Sequence, residues 1–299
     1  MITKTLASLT LAAALSTVPV TAKTDLRVGT YNLRRARLDE ASAENNWARR
    51  ESRLIASLMA CDFDLCGLQE VDSEEQESIP LALSAAGKEY GSFFFSPYED
   101  DGVGTKAHGL IWKKDRFEVL EIHHFWLSDP PSVKQVNDLG GNLNGKFIRG
   151  GFCAIVKDLK NKGKEYFMMV THAPLNKDQH AENAHIFIEM EQKYNPEGRP
   201  SFFVGDFNAR ETYDCSTLYR TWWTDSYHFF DKTPSRREGP FYTFNGWKKP
   251  LDPASEQRID FVYFRGKGLK PLRYVCDDRL YDGFYASDHF PVWVDFRVK

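Results

Sequence analysis

The chain has 299 residues, enough for one large domain or two small ones, and its 42% apolar and 27% charged residues are the balance of a soluble globular protein. With 39 basic against 42 acidic residues the net charge is −3, which excludes the strong basic excess of a dedicated binder of long duplex nucleic acid. A short or local phosphate-bearing substrate stays open.

The first 22 residues read as a secretory signal. Lys4 gives a short positive start, Leu6 to Val18 is apolar, and Val20-Thr21-Ala22 has the small-residue pattern of a cleavage site. The run is too short to span a bilayer comfortably. No later run is long and apolar enough to do so, and no cysteine follows the first to carry a lipid. The expectation is a secreted or periplasmic monomer with one domain over 23–299. Cys61, Cys66, Cys153, Cys215 and Cys276 show no C-x-x-C and no zinc-like spacing. Their odd number leaves at least one free thiol in a monomer, and Cys66, inside an apolar run, reads as buried.

Leu26 to Leu33 alternates like a strand and ends near Asn32; Arg34, Arg35 and Arg37 follow in a polar loop. From Asn46 to Met59 the spacing is helical, with Trp47, Leu54, Ile55 and Leu58 on one face and Arg49, Arg50 and Arg53 largely elsewhere. Asp64 to Val71 reads as a buried strand ending on Glu70, and a helix from about Ile79 to Ala86 stops near Gly87. Phe93–Phe95 and Gly109–Trp112 read as strands around a Gly-rich turn at Asp101–Gly104, and Phe117–Phe125 as another. Residues 137–151 are rich in Gly and Asn, without apolar period, and include Lys146 and Arg149. Strands follow at Phe152–Val156 and Tyr166–Thr171, then His172, an amphipathic helix over 178–193, and a strand over 201–206. Thr212 to Trp222 has helical character, Asp231 to Pro250 is a basic and aromatic loop or hairpin, and the last strands cover Arg258–Phe264 and Phe290–Val298. Strands interspersed with helices, without linker or repeat, predict one α/β domain of two layered sheets with outer helices.

Several of these strands end alike. An apolar run stops at Asn32, Glu70, His172, or Asp206 with Asn208, and Asp260 and Asp288-His289 stand at other strand edges. Asp206 and Asn208, two residues apart, share one face of a strand end, although that pair alone equally suits an Asx-type turn. Six such endings predict convergence on one polar pocket. Oxygen donors without clustered His or Cys suit Mg²⁺, with Mn²⁺ as a substitute, rather than zinc. Phosphoester hydrolysis needs a polarised phosphoryl group, an activated water and a stabilised leaving oxygen, all within the means of these side chains.

Tyr31-Asn32-Leu33, Leu68-Gln69-Glu70, Thr171-His172, Gly205-Asp206-Phe207-Asn208-Ala209, Arg258-Ile259-Asp260 and Ser287-Asp288-His289-Phe290-Pro291 stand in an order and spacing that resembles the endonuclease/exonuclease/phosphatase superfamily, with its DNase I-like fold. The resemblance covers about Asp25 to Arg297. Trp126–Pro131 and Phe241–Gly246 also look like a bacterial branch closer to deadenylase-like exonucleases than to abasic-site repair enzymes. The resemblance implies a four-layered α/β sandwich with the active site at one end of two packed sheets. It implies Glu70 as the principal metal ligand, with Asn32 and Asp288 supporting the metal and its shell. Asp206 would position or deprotonate the attacking water or assist the leaving group, Asn208 and His172 would contact the scissile phosphate, and His289 would stabilise its charge. Asp260 would orient His289, which general chemistry also supports.

Many relatives carry an acid where this chain has Ala107-His108, and His108 reads either as a residue facing substrate or as a solvated loop histidine. Ala173-Pro174 replaces a more usual Leu-Asp. Arg149 suits a bidentate phosphate contact, or a surface charge beside Gly150-Gly151. In 231–250, cations interleaved with Phe241, Tyr242, Phe244 and Trp247 would suit stacking of single-stranded bases, or simply pack into the sandwich edge. The leading expectation is a metal-dependent phosphodiesterase on single-stranded or short nucleic acid. The alternative is the same chemistry on a small or lipid phosphate, as in sphingomyelinase-like and inositol-phosphatase-like relatives. The complete set of site residues stands against a non-catalytic binding module.

Overall fold

Strands that read as unbroken apolar runs need cover on both faces. The computed structural model supplies it over the residues it describes, 25–38, 40–97, 106–132 and 148–299. The export signal over 1–22, the turn at 101–104 and the 137–147 part of the Gly- and Asn-rich segment lie outside the described residues. In chain order the elements are β1 (Leu26–Asn32), α1 (Trp47–Cys61), β2 (Leu65–Val71), α2 (Ser73–Ala85), β3 (Tyr90–Phe95), β4 (Ala107–Lys113), β5 (Phe117–Trp126), β6 (Gly150–Asp158) and β7 (Lys164–His172). Then come α3 (His180–Tyr194), β8 (Ser201–Asp206), α4 (Asp214–Trp222), β9 (Thr224–Asp225), β10 (Arg237–Glu238), β11 (Asp260–Arg265), β12 (Leu269–Cys276) and β13 (Val292–Val298).

One sheet runs β10-β12-β13-β1-β2-β4-β3 and the other β5-β6-β7-β8-β11-β9. Each has a parallel pair near its middle, β1 with β2 and β7 with β8, bridged by α1 and α3 respectively, and the short β10 adds a second at the edge of the first sheet by pairing parallel with β12. Alternation along β8 explains the layering: Phe202 and Val204 enter the core between the sheets, while Phe203 packs under α3 and α4 with Phe187, Tyr219 and Trp223. A third core, with Leu54, Leu58, Ile79 and Leu83, lies between the first sheet and α1 and α2. The result is the expected four-layered α/β sandwich. Gly67 lets the sheets pack closely, since a Cβ there would lie 2.5 Å from Val204 Cγ2.

Several elements differ from the sequence reading for identifiable reasons. α2 begins six residues earlier than its apolar period suggests, because Asp72 and Glu75 form a reciprocal capping box. β12 was not expected as a strand; Pro271 sits at an irregularity in its pairing, where a missing N–H is tolerated. Arg50 and Arg53 are buried, at 1% and 3% exposure, although their spacing placed them away from the core face. All five cysteines are free and buried. No helix among the described residues is long and apolar enough to cross a membrane.

Candidate active site

Strand direction explains why the polar endings meet. β1 with β2, and β7 with β8, are parallel, so Asn32, Glu70, His172 and Asp206 emerge at one end of the sandwich. β11 runs antiparallel to β8 and β13 antiparallel to β1, so their N-terminal ends bring Asp260, Asp288 and His289 to the same end. In the ladder, Asp206 lies opposite His172 on one side and Asp260 on the other.

Asp206 is the hub. Its Oδ2 accepts a hydrogen bond from Asn32 Nδ2 at 2.9 Å and lies 3.3 Å from His172 Nε2 and 3.7 Å from His289 Nε2. Its Oδ1 accepts from the Asn208 N–H at 2.9 Å. Asn208 adopts φ +48°, and its side-chain amide donates to the Ala173 carbonyl at 2.9 Å. His289 Nδ1 meets Asp260 Oδ2 at 2.9 Å, and Thr243 Oγ1 donates to the same oxygen at 2.6 Å. Ser287 Oγ donates to the Asn32 carbonyl at 2.7 Å, tying the loop that carries Asp288 to the end of β1.

Glu70 reaches the pocket through a bulge. Leu68 pairs with Gly109 and Val71 with Ala107, so β2 has one residue more than β4 there, and Glu70 takes φ +59°. That left-handed conformation costs roughly 1–2 kcal/mol in a residue with a Cβ, and here it aims a carboxylate at the cavity. The cavity, of about 380 Å³, has Glu70, Asp206 and Asp288 as its acids. Arg34, Arg149 and Arg210 also line it, and Leu175, Tyr213 and Phe244 supply apolar surface.

The electrostatics split the two histidines. Burial lowers the basicity of His289, but the Asp260 and Asp206 carboxylates outweigh it and raise its pKa to about 10. His172 is pushed well below its ordinary value by burial, then by the Arg149 charge. At neutral pH one imidazole is therefore a cation and the other neutral. Asp206 is raised to about 7, by burial first and then by the neighbouring Asp260 carboxylate, while the His289 charge pulls it back. Two groups pushed to opposite sides of their usual values are the pattern of an acid–base site.

All nine residues expected from the sequence gather here. Glu70, Arg149, His172, Asp206, Asn208, Asp288 and His289 line the cavity, while Asn32 and Asp260, each at 0% exposure, stand behind them as supports. His108 is neither substrate-facing nor solvated. It is fully buried in β4, its ring 6.2 Å from that of His172, and burial lowers its pKa to about 3. Sequence reasoning passed over Thr243, Arg34, Arg210 and Tyr213. Arg34 and Arg210 each stand two residues beyond a site amide, a spacing that could have suggested them.

A divalent cation fits this donor set. Glu70 is half-buried and takes no hydrogen bond or ion pair from a side chain among the described residues. Asp288, 3% exposed, is raised by burial, with the Glu70 charge adding to the effect. Arg34 meets Asp288 at 3.3 Å, and two carboxylates that still repel each other are what a hard cation relieves. Asp206, Asp260 and His289 also place ligand atoms within 4.8 Å of one another. There, however, His289 and Thr243 already occupy Asp260 Oδ2, and Asp260 does not line the cavity, so that trio reads as a carboxylate-held histidine with a second carboxylate 3.7 Å away.

The chain is similar to several solved structures. With Bacteroides thetaiotaomicron VPI-5482 mannosyl-6-phosphatase it shares 24% identity and a TM-score of 0.76, covering 91% of this chain and 99% of that one. With the human Nocturnin catalytic domain with bound sulfate the figures are 19%, 0.69, 92% and 93%. With D. rerio TDP2 complexed with single-strand DNA product they are 21%, 0.64, 91% and 99%. At such identities the likeness carries the fold, the same two-sheet sandwich. No curated protein matches the sequence. The sequence model of the endonuclease/exonuclease/phosphatase family matches residues 29–289, a span that contains every polar strand ending described above. The chain belongs to that family of phosphoester hydrolases.

Proposed function

We propose that this protein is a divalent-metal-dependent phosphoesterase, using Mg²⁺ or Mn²⁺, that cleaves a small or short phosphoester. The carrying observation is Arg149. Its side chain lines the cavity at 8% exposure and has no carboxylate partner among the described residues. A cation so placed is costly unless an anion arrives to meet it, and a guanidinium matches phosphate in two hydrogen bonds.

Glu70 and Asp288, with Asn32, would hold the cation, which would polarise the phosphoryl group and offset its charge. Arg149 and Asn208 orient the phosphate. Asp206, with a pKa of about 7, accepts the proton of the attacking water near neutral pH. His289, cationic and held by Asp260, donates from Nε2 to the phosphoryl oxygen on which charge develops. Neutral His172 steadies Asp206 from the other side.

Substrate size follows from the 231–250 segment. Tyr242 is buried at 5% exposure, Trp247 packs on the inter-sheet core, and Arg237 lies 4.3 Å over Tyr227. These aromatics serve the fold, and Phe244 alone of the four lines the cavity. A cavity of this size favours one phosphate with a small organic group, and the similarity to a mannosyl-6-phosphatase supports that reading. Short single-stranded nucleic acid is the second reading. It is favoured by Phe244 and Tyr213 beside three arginines, and by the similarity to a structure holding single-strand DNA product. We also infer export, from the signal pattern in 1–22.

The test is metal-dependent turnover on a panel: a hexose 6-phosphate, p-nitrophenyl phosphate, its bis ester, single-stranded DNA and RNA oligomers, and sphingomyelin. Mg²⁺-stimulated release from the small monoesters above the oligomers is expected. Activity on none of them with Mg²⁺ or Mn²⁺ would sink the enzyme reading.

A further inference from the structure

Arg50, on α1, is 1% exposed and spends its donors on main-chain carbonyls. Nη1 donates to Leu33 O at 2.6 Å and to Ala286 O at 3.3 Å; Nη2 donates to Arg34 O and, at 3.4 Å, to Arg35 O; Nε donates to Asn45 O at 3.2 Å. Among the described residues no carboxylate is hydrogen-bonded to it, the Glu75 carboxyl lying 3.9 Å away. Asn45 lies in the 3₁₀ turn before α1, and the other four carbonyls belong to two loops that are remote in sequence. Leu33–Arg35 directly follows Asn32, and Ala286 precedes Asp288 by two residues. From the other side, Glu75 Oε2 accepts the Ala36 N–H at 3.3 Å, so the 33–36 backbone is held through both its carbonyls and an amide.

We propose that Arg50 is a positioning residue for the cation site. Its guanidinium holds the loop after Asn32 and the loop before Asp288 at one separation, so that their oxygens and Glu70 address a single divalent ion. The chemistry is specific to arginine: five donors in a rigid planar fork span several carbonyls, whereas the three donors of a lysine ammonium radiate from one point. Arg50→Lys therefore keeps the charge and removes the fork. Arg53 is the control, on the same helix and 3% exposed; it lies 5.0 Å over the Phe284 ring but donates its hydrogen bond to Glu44 O in the 3₁₀ turn and to no carbonyl of either site loop.

The proposal rests on the metal reading above, and the experiment separates the two. Mn²⁺ binding to the full chain is measured by titration calorimetry. Arg50→Lys should weaken it about tenfold or more, as outer-shell substitutions do, with Arg53→Lys unchanged. Equal Mn²⁺ affinity in wild type and Arg50→Lys overturns the positioning role alone. Wild-type protein that binds no Mn²⁺, or Glu70→Gln that binds it as wild type does, overturns the cation site and the positioning role with it. Should Arg50→Lys fail to fold, hydrogen exchange on the wild-type chain reads the same coupling. Added Mn²⁺ should slow exchange together in 33–37, 47–53 and 286–289, and protection that leaves 47–53 unchanged would count against the proposal.

Discussion

At the end of the sandwich away from the candidate site lies a second cleft, of about 440 Å³, lined by Asp62, Asp64, Lys88, Lys113, Asp115, Arg116 and Lys160 among others. It is as charged as the candidate site and similar in size, yet its charges are matched. Lys88 meets Asp62 at 2.7 Å, and Lys113 meets Asp62 at 3.2 Å and Asp64 at 3.0 Å. Arg116 forks between Asp64 at 2.9 Å and buried Asp158 at 2.7 Å, and Lys160 pairs with Asp115. In the candidate site Arg149 and Glu70 have no such partners among the described residues. Two β-sheets present charged loops at both ends, and charge density does not tell the ends apart. Unmatched charge in a cavity does, because burying an ion without a partner is costly and a bound ligand can supply that partner.

Glu70→Gln should break the contrast most sharply. It should lower kcat/KM by about a thousandfold, some 4 kcal/mol of barrier, because the cation loses its principal carboxylate. Metal-free thermal stability should hold, since Glu70 makes no side-chain hydrogen bond or close ion pair among the described residues. Full activity in this variant, with circular dichroism unchanged, refutes the assignment.

The pH profile of kcat/KM comes next. Asp206 must be ionised to take a proton, so activity should rise with pH through about 7. His289 must be protonated to stabilise charge, so activity should fall as pH approaches about 10. The two limbs belong to a coupled set and are read as macroscopic values. His289→Asn should cost about a hundredfold or more in turnover and abolish the alkaline limb. It should also move the acid limb upward, because the imidazolium that held Asp206 down is gone. An unchanged alkaline limb would reassign that titration to another group.

The third prediction sets the two ends directly against each other. Arg149→Met should reduce kcat/KM about tenfold to a hundredfold, the worth of one charged hydrogen bond to phosphate, without loss of stability. Arg116→Met should do the reverse, leaving activity unchanged while removing about 3 kcal/mol of unfolding free energy, since Asp158 is left buried and unpaired. Urea denaturation and steady-state kinetics on the same preparations decide it. Equal stability losses in both variants would erase the distinction drawn between the clefts.

Much of this was legible along the chain. The apolar run over 201–205 announces a strand covered on both faces, and its acid and amide at 206 and 208 announce a polar end. Repeated at Asn32, Glu70, His172, Asp260 and Asp288, that ending points to one pocket and to hard-cation phosphoester chemistry. Less legible were elements whose cause lies off the local pattern: the capping box that starts α2 early, and β12, interrupted by its proline.

The sequence by itself determined which polar residues end the strands, because strand periodicity and the type of each terminal side chain are local properties. Only the tertiary structure decided how they meet. Asn32 and Asp206 are 174 positions apart and bonded at 2.9 Å, and Asp260 and His289 are 29 apart at the same distance. Those contacts, with the burial around them, make His289 a cation and His172 neutral. They also turn Arg50 from an ordinary helix arginine into a tie between two loops, His108 into a fully buried ring and the aromatics of 231–250 largely into core. Pairing and desolvation of charge depend on which distant groups meet and how much water remains between them, and no periodicity along the chain records that.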